Sequence, residues 1–286
     1  MYTGKTKNLG IIGNPVEHSL SPAMQLAALN EANLDYSYIA MKVQSENLAH
    51  AVEGLKYLDF KGFNVTIPHK IDIIKYLDCI DENAKMIGAV NTVVIENGKM
   101  FGYNTDSIGF ISSLKKSGFS IEKKHAVLLG AGGAARAVIW GLISAGIQSI
   151  SIGVRNVEKA KELVDVFKPF LTLEIFDWSA PAFQIKLKDA DLLVNTTPLG
   201  MFPKVDQMPP VNWSLVSSKV FVYDLIYIPE TTKFLEMAKK NGNVIINGEG
   251  MLVEQGAAAF KLWTNVEAST KKMAEVFELS RSSNKA

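Results

Sequence analysis

An α/β protein of two parts is the fold class this sequence predicts, and three observations predict it. Apolar runs of strand length alternate with helix-length segments along the chain. At 286 residues the chain is long enough for one large or two medium domains, each with a sizeable core. A glycine-rich strand-to-helix turn, Gly130-Ala131-Gly132-Gly133-Ala134-Ala135, begins only after a domain's length of chain has passed. We therefore expect an N-terminal α/β domain over residues 1–105 and a doubly wound domain over residues 106–249. Helices within 250–286 are expected to return to the first domain, with a cleft between the two.

Residues 9–12 read as a buried strand, and Ser21–Glu31 as a helix capped by Ser21 with Pro22 at its first position, where a missing N–H is no loss. Residues 36–43 read as a strand, 45–58 as a second helix and 62–66 as the next strand. Pro68 then suggests another helix start, which puts Lys70 in a first turn at the positive end of the macrodipole. A cation there opposes its local field by about 0.3–1 kcal/mol if exposed, which marks Lys70 as a candidate for chemistry. A lone lysine of this kind is ordinarily a solvated surface residue, so its company has to decide. Residues 91–96 and 99–103, joined by Asn97-Gly98, form a hairpin, because that dipeptide tolerates the positive φ of a type I′ turn. Asp106 then begins a helix with Ile108, Ile111 and Leu114 on one face.

The second series starts at 125–129, a continuous apolar run suited to a buried parallel strand. Residues 149–154, 171–176, 191–194, 220–223 and 243–246 follow as strands, and 250–263 and 267–279 as helices. Residues 280–286 look like a polar, frayed tail. The turn at Gly130-x-Gly132-x-x-Ala135 follows a strand and opens a helix, the context in which glycines let the backbone approach a pyrophosphate. This is the Rossmann-type dinucleotide signature. An NAD enzyme usually has an acidic residue at the end of the next strand, to accept from the ribose 2′-hydroxyl. Here the chain reads Val154-Arg155-Asn156-Val157-Glu158-Lys159. Arg155 and Lys159 could share one helix-start face around a 2′-phosphate, which favours NADP over NAD, unless Glu158 pairs with one of them.

Composition excludes several functions. Hydrophobic residues make up 48% and charged residues 21%, with a net charge of +1, so no strong field recruits nucleic acid or an anionic membrane. Cys79 is the one cysteine, which rules out an internal disulfide and fits a cytoplasmic protein, and one cysteine with four scattered histidines predicts no metal site. No run approaches the ~20 apolar residues of a membrane span. A monomer or homodimer is expected.

Around Lys70 stands a larger set of motifs. Asn64-Val65-Thr66-Ile67-Pro68-His69-Lys70 is preceded by Gly13-Asn14-Pro15-Val16-Glu17-His18-Ser19-Leu20-Ser21-Pro22. Gly88-Ala89-Val90-Asn91-Thr92 and Gly102-Tyr103-Asn104-Thr105-Asp106 follow, then the glycine turn and Asn195-Thr196-Thr197-Pro198-Leu199-Gly200-Met201. Asp224-Leu225-Ile226-Tyr227-Ile228-Pro229 and Gly250-Met251-Leu252-Val253-Glu254-Gln255-Gly256 complete it. Each is weak alone, but as an ordered set from about residue 9 to residue 263 they closely resemble the shikimate dehydrogenase family, which includes quinate/shikimate enzymes.

The resemblance implies an N-terminal substrate-binding domain, an NADP-binding domain, and the reversible reduction of 3-dehydroshikimate to shikimate in aromatic amino acid and chorismate biosynthesis. It implies that Lys70 and Asp106 are the catalytic pair. Ser19, Ser21 and Tyr227 would hold the substrate carboxylate, and Thr66, Asn91 and Gln255 would contact the ring hydroxyls. Gly130, Ala131, Gly132, Gly133, Ala134, Ala135, Arg155, Lys159, Thr196, Thr197, Gly248 and Met251 would contact the cofactor. Many NADP-dependent members carry Asn-Arg-Thr/Ser at the second strand end, and here Val154 and Asn156 depart from it. The rivals are a dual quinate/shikimate dehydrogenase using NAD, and a non-catalytic binding protein on the same fold. Tyr57-Leu58-Asp59-Phe60-Lys61 has the Tyr-x-x-x-Lys spacing of short-chain dehydrogenases but lies upstream of the glycine turn, the reverse of that family's order, and reads as an ordinary helix end.

Overall fold

The computed structural model describes residues 3–283. The chain divides into two compact units, Met1–Gly109 with Leu252–Ala286, and Phe110–Met251.

The first unit carries β1 (Lys7–Gly13), α1 (Ser21–Glu31), β2 (Tyr36–Lys42), α2 (Leu48–Tyr57), β3 (Phe60–Val65), β4 (Cys79–Ile80), α3 (Glu82–Ile87), β5 (Thr92–Glu96) and β6 (Lys99–Tyr103). At its edges begin α4 (Asp106–Lys116) and, late in the chain, α9 (Glu249–Thr264), followed by α10 (Thr270–Ser283). The six strands form one mixed sheet in the order β2-β1-β3-β5-β6-β4. β1 runs parallel to β2 and β3, whereas β5 runs antiparallel to β3 and β6. The hairpin between β5 and β6 turns at Asn97 and Gly98, with φ of 50° and 72°, the left-handed values that dipeptide tolerates. One face of the sheet is covered by Leu48, Val52 and Leu55 of α2 against Phe63 and Val65. The late helices close this unit: Gln25 Nε2 donates to Gly256 O at 2.9 Å, and Trp263 Nε1 donates to Val93 O at 2.9 Å.

Gly62 lies under that indole. A Cβ there would stand 2.3 Å from both Trp263 Nε1 and Val93 O, closer than any side chain tolerates. Gly62→Ala is expected to push α9 off the sheet and lower the unfolding free energy by about 1–3 kcal/mol, the usual cost of overpacking. An unchanged urea midpoint would show that α9 is not held at this point.

The second unit carries β7 (His125–Leu129), α5 (Gly133–Ser144), β8 (Ser149–Val154), α6 (Val157–Phe167), β9 (Leu173–Asp177), α7 (Pro181–Lys186), β10 (Leu192–Asn195), β11 (Phe221–Asp224), α8 (Lys233–Lys240) and β12 (Val244–Ile246). All pairings are parallel, in the order β9-β8-β7-β10-β11-β12. Counted from β7 this is 3-2-1-4-5-6, the doubly wound order of dinucleotide-binding sheets. Ala126, Leu128, Leu192 and Val194 join one core cluster, while Val127, Leu129 and Leu193 join the other. Successive side chains point to opposite faces, so a strand covered on both sides reads as the unbroken apolar run seen in the sequence.

Most element boundaries differ from the sequence expectation by one or two residues. Five differences are larger. The N-cap of α1 is Leu20, not Ser21, and no side chain caps it. Residues 45–47 form a 3₁₀ turn before α2. Lys70 lies in a turn, not a helix: the chain leaves β3, turns with His69 N–H on Thr66 O, and enters a 3₁₀ segment only at Asp72–Tyr76. The Lys70 carbonyl, which a helix would use internally, accepts from Val90 N–H at 2.8 Å. The macrodipole argument for Lys70 therefore falls. On α4 the buried stripe is Ser107, Phe110 and Leu114, and Ile108 is 52% exposed, because a buried serine replaces the isoleucine on that face. Finally, α10 continues through Ser280–Ser283, where a frayed tail was expected; residues 284–286 lie outside the described residues. β4, α3 and α7 were not anticipated, being too short to show a period. No helix of the described residues is long and apolar enough to cross a membrane.

Candidate active site

In the first unit the residues around Lys70 and Asp106 form one polar cluster. Lys70 Nζ donates to Asp106 Oδ2 at 2.6 Å, with the two side chains 29% and 13% exposed. Asp106 opens α4, so its carboxylate sits at the positive end of a helix dipole, and its own N–H donates to Asn104 Oδ1 at 3.0 Å. Asp106 begins a helix as the sequence led one to expect, whereas Lys70, expected at a helix start as well, is not at one. The other carboxylate oxygen, Oδ1, accepts from Asn91 Nδ2 at 2.8 Å. Asn91 also donates to Thr105 Oγ1 at 3.0 Å and to Gln255 Oε1 at 3.4 Å, and its Oδ1 accepts from Thr105 N–H at 2.8 Å. Gln255 is steadied from α9 by Leu252 O, to which its Nε2 donates at 2.9 Å.

Lys70, Asp106, Asn91 and Gln255 are thus brought together. Ser19 and Ser21 are linked to each other, Ser19 Oγ accepting from Ser21 N–H at 3.3 Å. Thr66 sits at the end of β3, where its N–H bonds Ile12 O and its methyl lies against Gly13, leaving no room there for a Cβ. Sequence reasoning did not single out Tyr38, Asn64, Thr92, Asn104 or Thr105 individually, all nearly or fully buried. A polar residue inside a run that otherwise reads as buried strand was the available signal.

The second unit holds the predicted cofactor residues on the ends of its central strands. Gly130 ends β7 with a φ of 104°, and a Cβ there would strike Thr196 and Thr197 from the end of β10. Gly132 caps α5 without a side chain, and a Cβ at Gly132 or Gly133 would meet nothing within 4 Å. The first-turn N–H groups of α5 therefore face open space with no side-chain cap, a cradle that fits a pyrophosphate. Beyond it, Arg155 and Lys159 are exposed. Glu158 pairs with Lys161 at 2.6 Å, and among the described residues neither Arg155 nor Lys159 has an ion-pair partner. Asn156 is the N-cap of α6, accepting from Lys159 N–H at 3.0 Å, so its departure from the family pattern still caps the helix. This arrangement suits a 2′-phosphate.

Thr196 Oγ1 donates to Leu129 O at 2.8 Å, and Thr197 is held by Asn195 Oδ1, which accepts from its N–H and its hydroxyl at 3.0 and 2.7 Å. Asn195 in turn donates to Asp224 Oδ1 at 3.0 Å. Tyr227, Gly248 and Met251 lie in the same unit: Gly248 N–H bonds Ile226 O at 3.0 Å, and a Cβ on Gly248 would stand 1.9 Å from Leu225 O. Met251 lies in the first turn of α9.

Asp224 is fully buried, and burial pushes its pKa up to about 7 against the opposing hydrogen bonds from Thr232, Ile226 N–H and Asn195. Between its ordinary value of 3.8 and about 7 the native protein keeps a proton that the unfolded chain releases. The contribution of this group to stability is therefore expected to fall as pH rises from about 4 to about 7, by about 4 kcal/mol at most. Asp224→Asn can keep the partners, with its Nδ2 donating to Thr232 Oγ1. Urea unfolding of the two proteins across this window should show the parent's slope flattened in the variant, and parallel curves would show that Asp224 is ionised throughout.

Sheet order and open glycine turn define the second unit as a Rossmann-type dinucleotide-binding fold. Residues 11–93 match the shikimate dehydrogenase substrate binding domain, residues 113–197 the shikimate / quinate 5-dehydrogenase family, and residues 248–276 the shikimate 5′-dehydrogenase C-terminal domain. The shikimate dehydrogenase (NADP(+)) of Methanococcus aeolicus is 45% identical over 267 residues, which cover 93% of this chain and 95% of that protein. A crystal structure of a shikimate dehydrogenase in complex with NADP+ is 44% identical, with a TM-score of 0.89 over 96% of both chains. That of shikimate 5-dehydrogenase from Listeria monocytogenes, in complex with shikimate and NAD, is 33% identical, with a TM-score of 0.92 over 96% of this chain and 98% of that one. The chain belongs to the shikimate dehydrogenase family.

Proposed function

We propose that this protein catalyses the reversible NADPH-dependent reduction of 3-dehydroshikimate to shikimate, with Lys70 and Asp106 as its proton-transfer pair. The observation that carries the reading is the Lys70–Asp106–Asn91 constellation in a chain of this family. Bound NADPH supplies the hydride, and reduction of the ketone carbon develops negative charge on its oxygen. A positioned ammonium stabilises that charge and then donates its proton. Asp106 accepts from Lys70 with one carboxylate oxygen and from Asn91 with the other, an arrangement that supports Lys70 as the donor in this reading. In the oxidation direction Lys70 takes the hydroxyl proton back.

The remaining assignments follow the same reading. Ser19, Ser21 and Tyr227 bind the ring carboxylate; Thr66, Asn91 and Gln255 address the ring hydroxyls. Gly130 to Ala135 receive the pyrophosphate, Arg155 and Lys159 the 2′-phosphate, and Thr196, Thr197, Gly248 and Met251 line the cofactor's remaining length. Steady-state kinetics with shikimate and with quinate, each against NADP⁺ and NAD⁺, test the proposal. Turnover is expected to be best with shikimate and NADP⁺. No absorbance change with shikimate and either cofactor would end it.

A further inference from the structure

Arginine is rare in this chain: among its 30 lysines and arginines only Arg136, Arg155 and Arg281 are arginines. Arg281 is engaged within α10, by Glu278 and over the Phe277 ring. The other two flank the open glycine turn, and among the described residues neither guanidinium has an ion-pair or hydrogen-bond partner. Arg155 has a role at the 2′-phosphate in the reading proposed for this protein. Arg136 has none.

Arg136 lies in the first turn of α5, where a cation opposes the helix dipole and no acidic residue offsets it. Its direction follows from the helix period. Ala135, Val138, Ile139 and Leu142 are fully buried in the core shared with β7 and β8, whereas Arg136, Trp140 and Ile143 form a half-buried row at i, i+4 and i+7. Trp140 of that row stacks on Phe167 of α6, ring centroids 6.3 Å apart, and meets Phe170 edge-on at 5.1 Å. The row therefore looks toward α6. Side chains on a helix lean toward its N-terminus, so Arg136, one turn before Trp140, is carried to the amino end of the groove between α5 and α6. Arg155 arrives at the same end. β7 and β8 are adjacent, Gly130 N–H donates to Gly153 O at 2.8 Å, and Val154 and Arg155 follow directly. Lys159 adds a third cation from the first turn of α6, while Glu158 is bound to Lys161. Three cations converging on one strand end without an acid repel one another unless an anion sits among them.

We propose that Arg136 is a specificity-determining residue for the cofactor, meeting the 2′-phosphate of NADP from the α5 side while Arg155 and Lys159 meet it from the β8 and α6 side. This rests on the assignment of Arg155 and Lys159 to that phosphate. A planar guanidinium presents two parallel N–H groups to phosphate oxygens, which is the use that distinguishes an arginine from the many lysines of this chain. The other anion within a first-turn cation's range is the pyrophosphate, which NADP and NAD share. The row's direction, toward α6 and away from the glycine turn itself, selects the 2′-phosphate.

Arg136→Ala puts the best helix former into the first turn of α5 and removes a cation from the positive end of its dipole, so the melting temperature should hold or rise. Calorimetric titration of the purified protein, without substrate, gives the readout. NADP⁺ and adenosine 2′-phosphate should each bind about tenfold more weakly than to the parent, or worse, with the Kd for NAD⁺ within about twofold. Arg136→Lys should recover part of the loss, because it restores the charge without the fork. Equal weakening for NADP⁺ and NAD⁺ would put Arg136 on the pyrophosphate and overturn the proposal, as would unchanged binding of all three ligands. A lowered melting temperature with all three affinities reduced alike would mark a structural role and overturn it too. Arg155→Ala, titrated in parallel, separates this inference from the reading beneath it. Loss of NADP⁺ affinity in Arg155→Ala but not in Arg136→Ala sinks the inference alone, and loss in neither removes the 2′-phosphate assignment and the inference with it.

Discussion

Lys70→Met should lower kcat at saturating shikimate by about 10²–10⁴, the range for losing a positioned acid–base group. The methionine keeps much of the aliphatic stem's packing, so the loss reports charge and proton rather than contacts. Asp106 does not lose all support in this variant: it retains the Asn91 N–H and the amino end of α4. Circular dichroism and the melting temperature should therefore stay close to the parent's. Shikimate binding should weaken far less than turnover, because Ser19, Ser21 and Tyr227 are assigned to the carboxylate and none of them depends on Lys70. Lys70→Ala should show a similar kcat, with any further loss measuring the stem. Two other outcomes are distinguishable. A raised KM with kcat preserved would make Lys70 a binding residue, the mark of uniform binding, and a kcat within a few-fold of the parent would return it to a surface lysine.

What the sequence revealed about this site followed the range of the interactions involved. The glycine turn after β7 and the Asn97-Gly98 hairpin were legible because local backbone conformation demands those residues at those places; the hairpin carries the positive φ expected, and Gly130 has one as well. The unbroken apolar run at β7 announced a strand covered on both faces. Lys70 misled for the converse reason. Its turn is set by a backbone bond to Val90 and by His69, whose ring nitrogen lies 2.8 Å from Val43 O, and neither partner is near in sequence. Lys70 and Asp106 are 36 residues apart, and no period or spacing links them; only the resemblance put them together. The buried Tyr38, Asn64 and Thr92 were harder still, since a tyrosine, an asparagine and a threonine in strands look ordinary one at a time. Asn156 shows the reverse case: it departs from the family pattern, and it makes a hydrogen bond as the cap of α6.

Arg155→Ala should raise the KM for NADP⁺ by about 10- to 100-fold, from the loss of a charge-assisted bond of about 1.5–3 kcal/mol, while leaving that for NAD⁺ nearly unchanged. The argument starts from the end of β8, where an acidic residue would accept from a ribose 2′-hydroxyl and repel a 2′-phosphate. Val154 is buried there as the last strand residue, and Arg155 is the first exposed side chain beyond it. Its guanidinium has no ion-pair partner among the described residues, because the nearby Glu158 is engaged by Lys161. Lys159, on the first turn of α6, also has no ion-pair partner among the described residues, so the single substitution should not abolish NADP⁺ binding. An arginine fork meets a phosphate through two N–H groups, whereas an ammonium offers a point charge, so Arg155→Lys should recover only part of the loss. Raising ionic strength should narrow the gap between parent and variant, because both groups are exposed and screened by salt. Equal losses for NADP⁺ and NAD⁺ would show that Arg155 supports the β8–α6 turn itself, and the 2′-phosphate would then have to be read without it.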